Sequence, residues 1–70
     1  MPHFKAKEMG TSWQIAVYAD GTYIGYARRI ASEEWVGYRP DDVAVTISYL
    51  FMDVAEALYQ AFEQRAAPND

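Results

Sequence analysis

His3 is the only histidine in this chain of 70 residues, and there is no cysteine. Those two facts bound the available chemistry. A histidine that works as a general base needs a nucleophile beside it and an acid to orient it, and His3 has no such constellation in recognisable spacing. Without cysteine there is no disulfide, no thiolate nucleophile and no cysteine-based zinc site, and the redox compartment is left open. The acids include two adjacent pairs, Glu33-Glu34 and Asp41-Asp42. Neighbouring residues of a strand point to opposite faces, so neither pair is placed to share a proton as a cooperating dyad. Turn formation and solubility account for both pairs. No EF-hand spacing, His-x-x-x-His pair or glycine-rich phosphate loop occurs. The expectation is a protein that is not an enzyme, with no catalytic residue, no metal site and no cofactor.

The elements that would position any functional side chain start from Trp13 to Ile30. Asp20-Gly21 lies in the middle, flanked by alternating β-branched and aromatic residues. Asp-Gly between two such runs signals a hairpin, because a type I′ turn needs positive φ at both central residues. A two-residue turn there pairs Ala19 with Thr22, Tyr18 with Tyr23, Val17 with Ile24 and Ile15 with Tyr26. One face then carries Trp13, Ile15, Val17, Ile24 and Tyr26, and it is expected to be the core face. The other carries Gln14, Ala16, Tyr18, Tyr23, Gly25, Ala27 and Arg29. A slip of one residue would put Ile15 and Val17 in water, so the pattern opposes slippage.

Before the hairpin, residues 1–9 read either as a short edge strand blunted by Lys5 and Lys7 or as a loose tail. Gly10-Thr11-Ser12 is a turn cluster. After the hairpin, Ala31-Ser32-Glu33 is a polar break. Glu34 to Arg39 reads as a third strand, with Trp35 and Gly37 on one face and Val36 and Tyr38 on the other. Pro40-Asp41-Asp42 is a turn, since proline presets φ for the first central position. Val43 to Phe51 fits two templates. With period two, Val43, Val45, Ile47, Tyr49 and Phe51 share a face. With period 3.6, Val43, Ile47, Leu50, Val54, Leu58 and Phe62 form a stripe. The helical reading needs one helix of roughly 36 Å, long for so small a domain. The segment is rich in Val, Thr, Ile, Tyr and Phe, which favour strands. Asp53 with Glu56 three residues on resembles a capping box. The segment is therefore assigned to a strand, and Val54–Ala67 to a helix with Val54, Leu58, Ala61, Phe62 and Ala66 inward. Pro68-Asn69-Asp70 stops the helix and frays.

The expected fold is α+β: an antiparallel meander of about four strands with one C-terminal helix packed on one face, in a single domain over residues 1–70. A core this small supplies only about 3–5 kcal/mol. No run approaches a membrane span, and Met-Pro-His-Phe-Lys lacks the apolar stretch of a signal peptide, so a cytoplasmic protein without membrane contact is expected. The formal charge is −4 and unevenly spread. Residues 1–39 carry Lys5, Lys7, Arg28, Arg29 and Arg39 against Glu8, Asp20, Glu33 and Glu34, a net of +1. Residues 40–70 carry only Arg65 against Asp41, Asp42, Asp53, Glu56, Glu63 and Asp70, a net of −5. That half repels nucleic acid and could attract a basic surface.

Two non-enzymatic functions follow. The first is a protein-binding module, an inhibitor or adaptor that docks on a larger partner. Tyr18, Tyr23, Trp35, Tyr38, Tyr49 and Tyr59 exceed what a small core can cover, and aromatics with arginine anchor interfaces. The expected contact residues are Tyr18, Tyr23, Arg29, Trp35, Asp41, Asp42 and Glu63, with the acidic half meeting a basic surface of the partner and speeding encounter. In size, acidity and lack of cysteine the chain is similar to phage-borne inhibitors of host defence, anti-CRISPR proteins among them. Self-association into a homodimer through a strand edge or aromatic patch is a variant of this reading. The alternative is nucleic-acid binding through the sheet. A sheet backed by one helix, with Arg28, Arg29, Arg39, Trp35 and Tyr23, resembles in architecture the AP2-type DNA-binding domains, and the resemblance implies that those side chains would face DNA. The acidic total opposes it, since phosphate neutralisation supplies most such affinity.

Overall fold

The computed structural model describes residues 2–31 and 33–66. Five strands, β1 (Phe4–Glu8), β2 (Gln14–Ala19), β3 (Thr22–Arg29), β4 (Trp35–Tyr38) and β5 (Ala44–Ser48), precede one helix, α1 (Phe51–Ala66). The strands form one sheet in chain order, and every neighbouring pair is antiparallel. The fold is the expected α+β meander with one strand more than the approximate four. The added strand is β1, the lysine-bearing segment that could also be read as a tail. It is tied to the first hairpin at its start: the His3 backbone N donates to Asp20 Oδ1 and the Asp20 N donates to the His3 carbonyl, both at 2.9 Å. The expected helix end at Ala67 and the frayed tail 68–70 lie outside the described residues.

The turn between β2 and β3 has positive φ at both Asp20 (49°) and Gly21 (84°), as a type I′ hairpin requires. Ala19 faces Thr22 and Tyr18 faces Tyr23, as the turn dictates. The register then departs from expectation. Val17 pairs with Gly25 rather than Ile24, and Ile15 with Ala27 rather than Tyr26. Ile24 is the extra residue of a β-bulge, so every later residue of β3 exchanges faces. Tyr26, expected in the core, points away from it, and Ala27 takes its place. Glycine at position 25 makes this possible. Its φ is +142°, and a Cβ there would lie 2.3 Å from the Tyr38 carbonyl oxygen and 3.0 Å from Leu58 Cδ2.

The β4–β5 connection is Pro40-Asp41-Asp42. Asp42 N donates to the Arg39 carbonyl and Arg39 N to the Val43 carbonyl, each at 2.9 Å, and Asp42 takes φ +69°. That is a type I turn closed by a left-handed residue, a position Asp tolerates better than most. A second bulge sits in β5, where Gly37 faces Thr46 but Tyr38 faces Ala44, leaving Val45 as the extra residue.

Val43 to Phe51 resolves as strand, then connector, then helix, with α1 beginning at Phe51 rather than Val54. Asp53 is thus the helix's third residue and not its cap. The Leu50 carbonyl receives Asp53 N at 3.1 Å and Val54 N at 3.4 Å. Ser48 supplies the polar contacts: its Oγ accepts from Leu50 N and donates to Asp53 Oδ2, both at 3.1 Å. Packing explains the earlier start, because the Phe51 ring meets the Trp35 ring edge-on at 5.3 Å.

The helix lies on the face that carries Val17, Ala27, Gly37 and Thr46. Val17, Ala19, Ile24, Ala27, Val54, Ala55 and Leu58 form the buried core, with Phe4, Trp35, Val45, Phe51, Tyr59 and Phe62 packed around it. Gly37 leaves the room that Val54 fills, since a Cβ there would stand 2.7 Å from Val54 Cγ1. Among the described residues, no element packs on the opposite face of the sheet.

Candidate interaction surface

The uncovered face is built by the alternation of the strands and by the first bulge. Val17, Ala27 and Gly37 point to the helix, so Ala16, Tyr18, Tyr26, Arg28, Val36 and Tyr38 point the other way. Tyr23, ahead of the bulge, joins them opposite Tyr18. Four tyrosines thus stand on one surface in two cross-strand pairs. Tyr18 and Tyr23 are tilted against each other with ring centroids 5.7 Å apart. Tyr26 and Tyr38 stack at 5.0 Å with their planes 18° apart. Between them Ala16, opposite Tyr26 on one side and Lys7 on the other, is buried although it lies on the uncovered face.

Hydrogen bonding and burial fix this patch. The Tyr26 hydroxyl donates to Asp42 Oδ1 at 2.7 Å. That bond to a carboxylate, reinforced by partial burial, pushes the Tyr26 phenol up to about 12. Burial raises the Tyr23 phenol as well, with the Tyr18 ring and the Asp42 charge adding to it. Both tyrosines are therefore neutral at physiological pH. The Tyr23 hydroxyl can donate or accept a bond from a partner, whereas the Tyr26 hydroxyl, whose proton goes to Asp42, can only accept one.

The charged side chains around the tyrosines are mostly cationic. Lys5 faces Tyr18 and Lys7 faces Ala16 from β1, and Arg28 lies between Gln14 and Val36. The Arg28 guanidinium sits 5.3 Å from the Trp13 ring centroid. Asp42, at the rim, is occupied by Tyr26.

The seven residues expected to form a contact surface do not lie together. Tyr18, Tyr23 and Asp42 share the tyrosine surface. Arg29 and Trp35 oppose each other on the helix side of the sheet, where Arg29 pairs with Glu33 at 3.0 Å and covers the Trp35 ring at 5.9 Å. Glu63 is exposed on α1, across the molecule from the tyrosines. Asp41 is clamped between two arginines. Arg39 donates to it through Nε, at 2.9 Å, and through Nη2, and Arg65 Nη1 donates at 3.1 Å. The Arg39 bond, with help from Arg65, holds its carboxyl well below the usual carboxylate range. The arginines proposed for DNA contact are divided in the same way. Arg28 is on the uncovered face, Arg29 is on the helix side, and Arg39 is neutralised by Asp41.

Neither a protein-family model nor a curated protein nor a solved structure matches this chain.

One cleft is a further candidate for chemistry. A cleft of about 320 Å3 opens between the β4–β5 turn and the end of α1, with Ile24, Pro40, Ala61 and Phe62 as an apolar floor and Arg39, Asp41 and Arg65 at its mouth. Those three groups sum to +1, and the single Asp41 carboxylate already takes hydrogen bonds from both guanidinium groups. Among the described residues no group of three or more His, Asp and Glu could hold a metal ion, and no helix is long and apolar enough to cross a membrane. Sequence reasoning missed Tyr26, Lys5 and Lys7 as members of the surface. The signal was Gly25, because glycine inside a strand pattern marks a bulge or a close backbone approach.

Proposed function

We propose that this chain is a non-enzymatic binding domain that docks on a larger protein through the tyrosine surface of its sheet, as an inhibitor or adaptor acting in the cytoplasm. The observation that carries the reading is the set of four tyrosines on the one face the helix leaves bare. Tyrosine contributes a large, rigid contact area with little entropy to lose, and aromatics and arginine dominate binding hot spots. Lys5, Lys7 and Arg28 favour an acidic rim on the partner's patch, while the acids of α1 face away from it. An inhibitor of host defence carried by a phage fits this small, aromatic, motif-poor design.

A second reading has one observation in its favour. Two of the cations on the uncovered face flank aromatic rings, Lys5 beside Tyr18 and Arg28 beside Trp13, the arrangement that single-stranded nucleic acid uses for stacking and backbone contact. Two facts count against it. Tyr26 and Tyr38 stack on each other rather than offering open ring faces, and the chain's net charge is −4.

The experiment is a paired capture from bacterial lysate, with and without nuclease, using the wild type, Tyr23→Ser and Glu63→Lys. The expected result is a stoichiometric protein that survives nuclease, is kept by Glu63→Lys and is weakened about 30-fold by Tyr23→Ser, the loss of one hot spot of about 2 kcal/mol. Equal retention by Tyr23→Ser overturns the surface. Loss of all captured material on nuclease treatment favours nucleic acid instead.

A further inference from the structure

The two edges of the sheet differ. β1, one edge, carries Lys5, Lys7 and Glu8 within five residues, the charged blunting that keeps an exposed edge from pairing with other strands. β5, the other edge, reads Ala-Val-Thr-Ile-Ser and carries no charge. Among the described residues its only partner within the sheet is β4, so one side of its backbone has N–H and C=O groups with no strand beside them. Apolar side chains run along it and beyond both ends. Val43 is 44% exposed, Ile47 54%, Tyr49 67% and Leu50 63%. The bulge at Val45 bends the start of this edge, but Thr46 to Ser48 pair regularly with β4 beyond it and carry no charge to blunt the edge they present.

We propose that β5 is a self-pairing edge, and that two copies of this chain join antiparallel through β5 into one continuous ten-stranded sheet about a two-fold axis. A second copy is the occupant the strand fits. Antiparallel pairing of a strand with itself is isologous, so the same groups satisfy each other across the axis. With no charge on β5, self-pairing sets no like charges opposite each other. The nearest ionic groups, Asp42 and Asp53, lie beyond the strand's ends, where each already holds a hydrogen bond from Tyr26 or Ser48. The least that a specific interface takes is about 500 Å2 from each copy, roughly a tenth of the 4758 Å2 surface. Self-pairing would double the number of strands that share one hydrogen-bonded sheet, a common remedy for a domain with so small a core. This edge is separate from the Tyr18–Tyr23 surface, so either proposal can fail alone.

The test is sedimentation equilibrium on the full chain, with Ile47→Lys as the variant. Ile47 is more than half exposed, so lysine is tolerated by the fold, and far-UV circular dichroism checks that it is. The expected result is a dimer populated at about 100 µM protein, in the range of weak specific interfaces, with the dissociation constant raised tenfold or more by Ile47→Lys. A mixed sample of isotope-labelled and unlabelled protein should show intermolecular nuclear Overhauser contacts between β5 strands. A wild type that stays monomeric at millimolar concentration overturns the proposal. So does a dimer unaffected by Ile47→Lys, or one whose intermolecular contacts fall on the tyrosines.

Discussion

Replacing Gly25 by alanine tests the feature on which the tyrosine surface depends. Two costs arise at that position. The backbone has φ +142°, a region that residues with a side chain rarely enter, and holding alanine there costs about 1–3 kcal/mol. The new methyl would also stand 2.3 Å from the Tyr38 carbonyl oxygen and 3.0 Å from Leu58 Cδ2. The first contact is with backbone, so β3 and β4 must separate where Tyr26 and Tyr38 stack. Overpacking of this kind costs about 1–3 kcal/mol more. The total of about 2–6 kcal/mol brackets the roughly 3–5 kcal/mol expected of a core this size, and Gly25→Ala should be largely unfolded at 25 °C. The comparison is Gly21→Ala. Gly21 also has positive φ, 84°, but a Cβ there meets nothing within 4 Å, so only the strain of the turn is added, about 1–2 kcal/mol. Urea titration followed by far-UV circular dichroism and tryptophan fluorescence gives both values. A stabilising osmolyte restores a folded baseline where one is missing. Equal losses for the two variants would refute the reasoning, because the close approach to Tyr38 would then carry no energy.

The Tyr26–Asp42 bond predicts an alkaline transition. The folded phenol titrates near 12 against an ordinary value of 10, so its contribution is whole below pH 10 and is lost as pH rises from 10 to 12; absorbance at about 295 nm should show one late tyrosine in the wild type that moves earlier in Asp42→Ala, and superimposable titrations would count against the bond. At neutral pH Asp42→Ala should cost about 0.5–1.5 kcal/mol in a urea titration, the worth of one hydrogen bond. Asp53→Ala should cost about 0.5–1 kcal/mol, through the lost Ser48 contact and the lost anion in the first turn of α1; Ser48→Ala in the Asp53→Ala background should then add only the Leu50 N contact, and full additivity of the two losses would show that Ser48 and Asp53 do not act together.

The parts of the fold that were legible are those set by local physics. Asp20-Gly21 specified its own turn, and the Tyr18–Tyr23 pair followed from it. The β-branched run from Val43 marked a strand despite a helical stripe that fitted as well. Lys5 and Lys7 made an edge strand one of two readings of residues 1–9, the other being a tail. Where local rules failed, a distant contact had decided. The helix begins at Phe51 because its ring meets Trp35, sixteen residues earlier, and a cap motif at Asp53 carries no information about that ring. Tyr26 was placed in the core because alternation was carried past Ile24 unbroken. A bulge costs the ladder one residue of pairing, and only the space beside the Tyr38 carbonyl shows why glycine, and with it the bulge, belongs at position 25.

That one inserted residue also resolves the surplus of aromatic side chains. In an unbroken register Tyr26 would compete with Val17 and Ile24 for space beneath Leu58, and Ala27 would be left on the solvent side. With Ile24 bulged, both Ile24 and Ala27 enter the core, and Tyr26 is free to stack on Tyr38 and bond Asp42. A bulky polar-tipped residue is exchanged for a methyl in the tightest layer of the protein, where Gly37 already yields its place to Val54. The same step completes a surface of four tyrosines and moves the division of charge. Along the chain the basic and acidic residues separate into halves; in space Lys5, Lys7 and Arg28 gather on the tyrosine face while Asp53, Glu56 and Glu63 ride on the helix behind it. A partner approaching the uncovered face meets phenols and cations, so the acidity of the whole chain is a poor guide to what that face would bind.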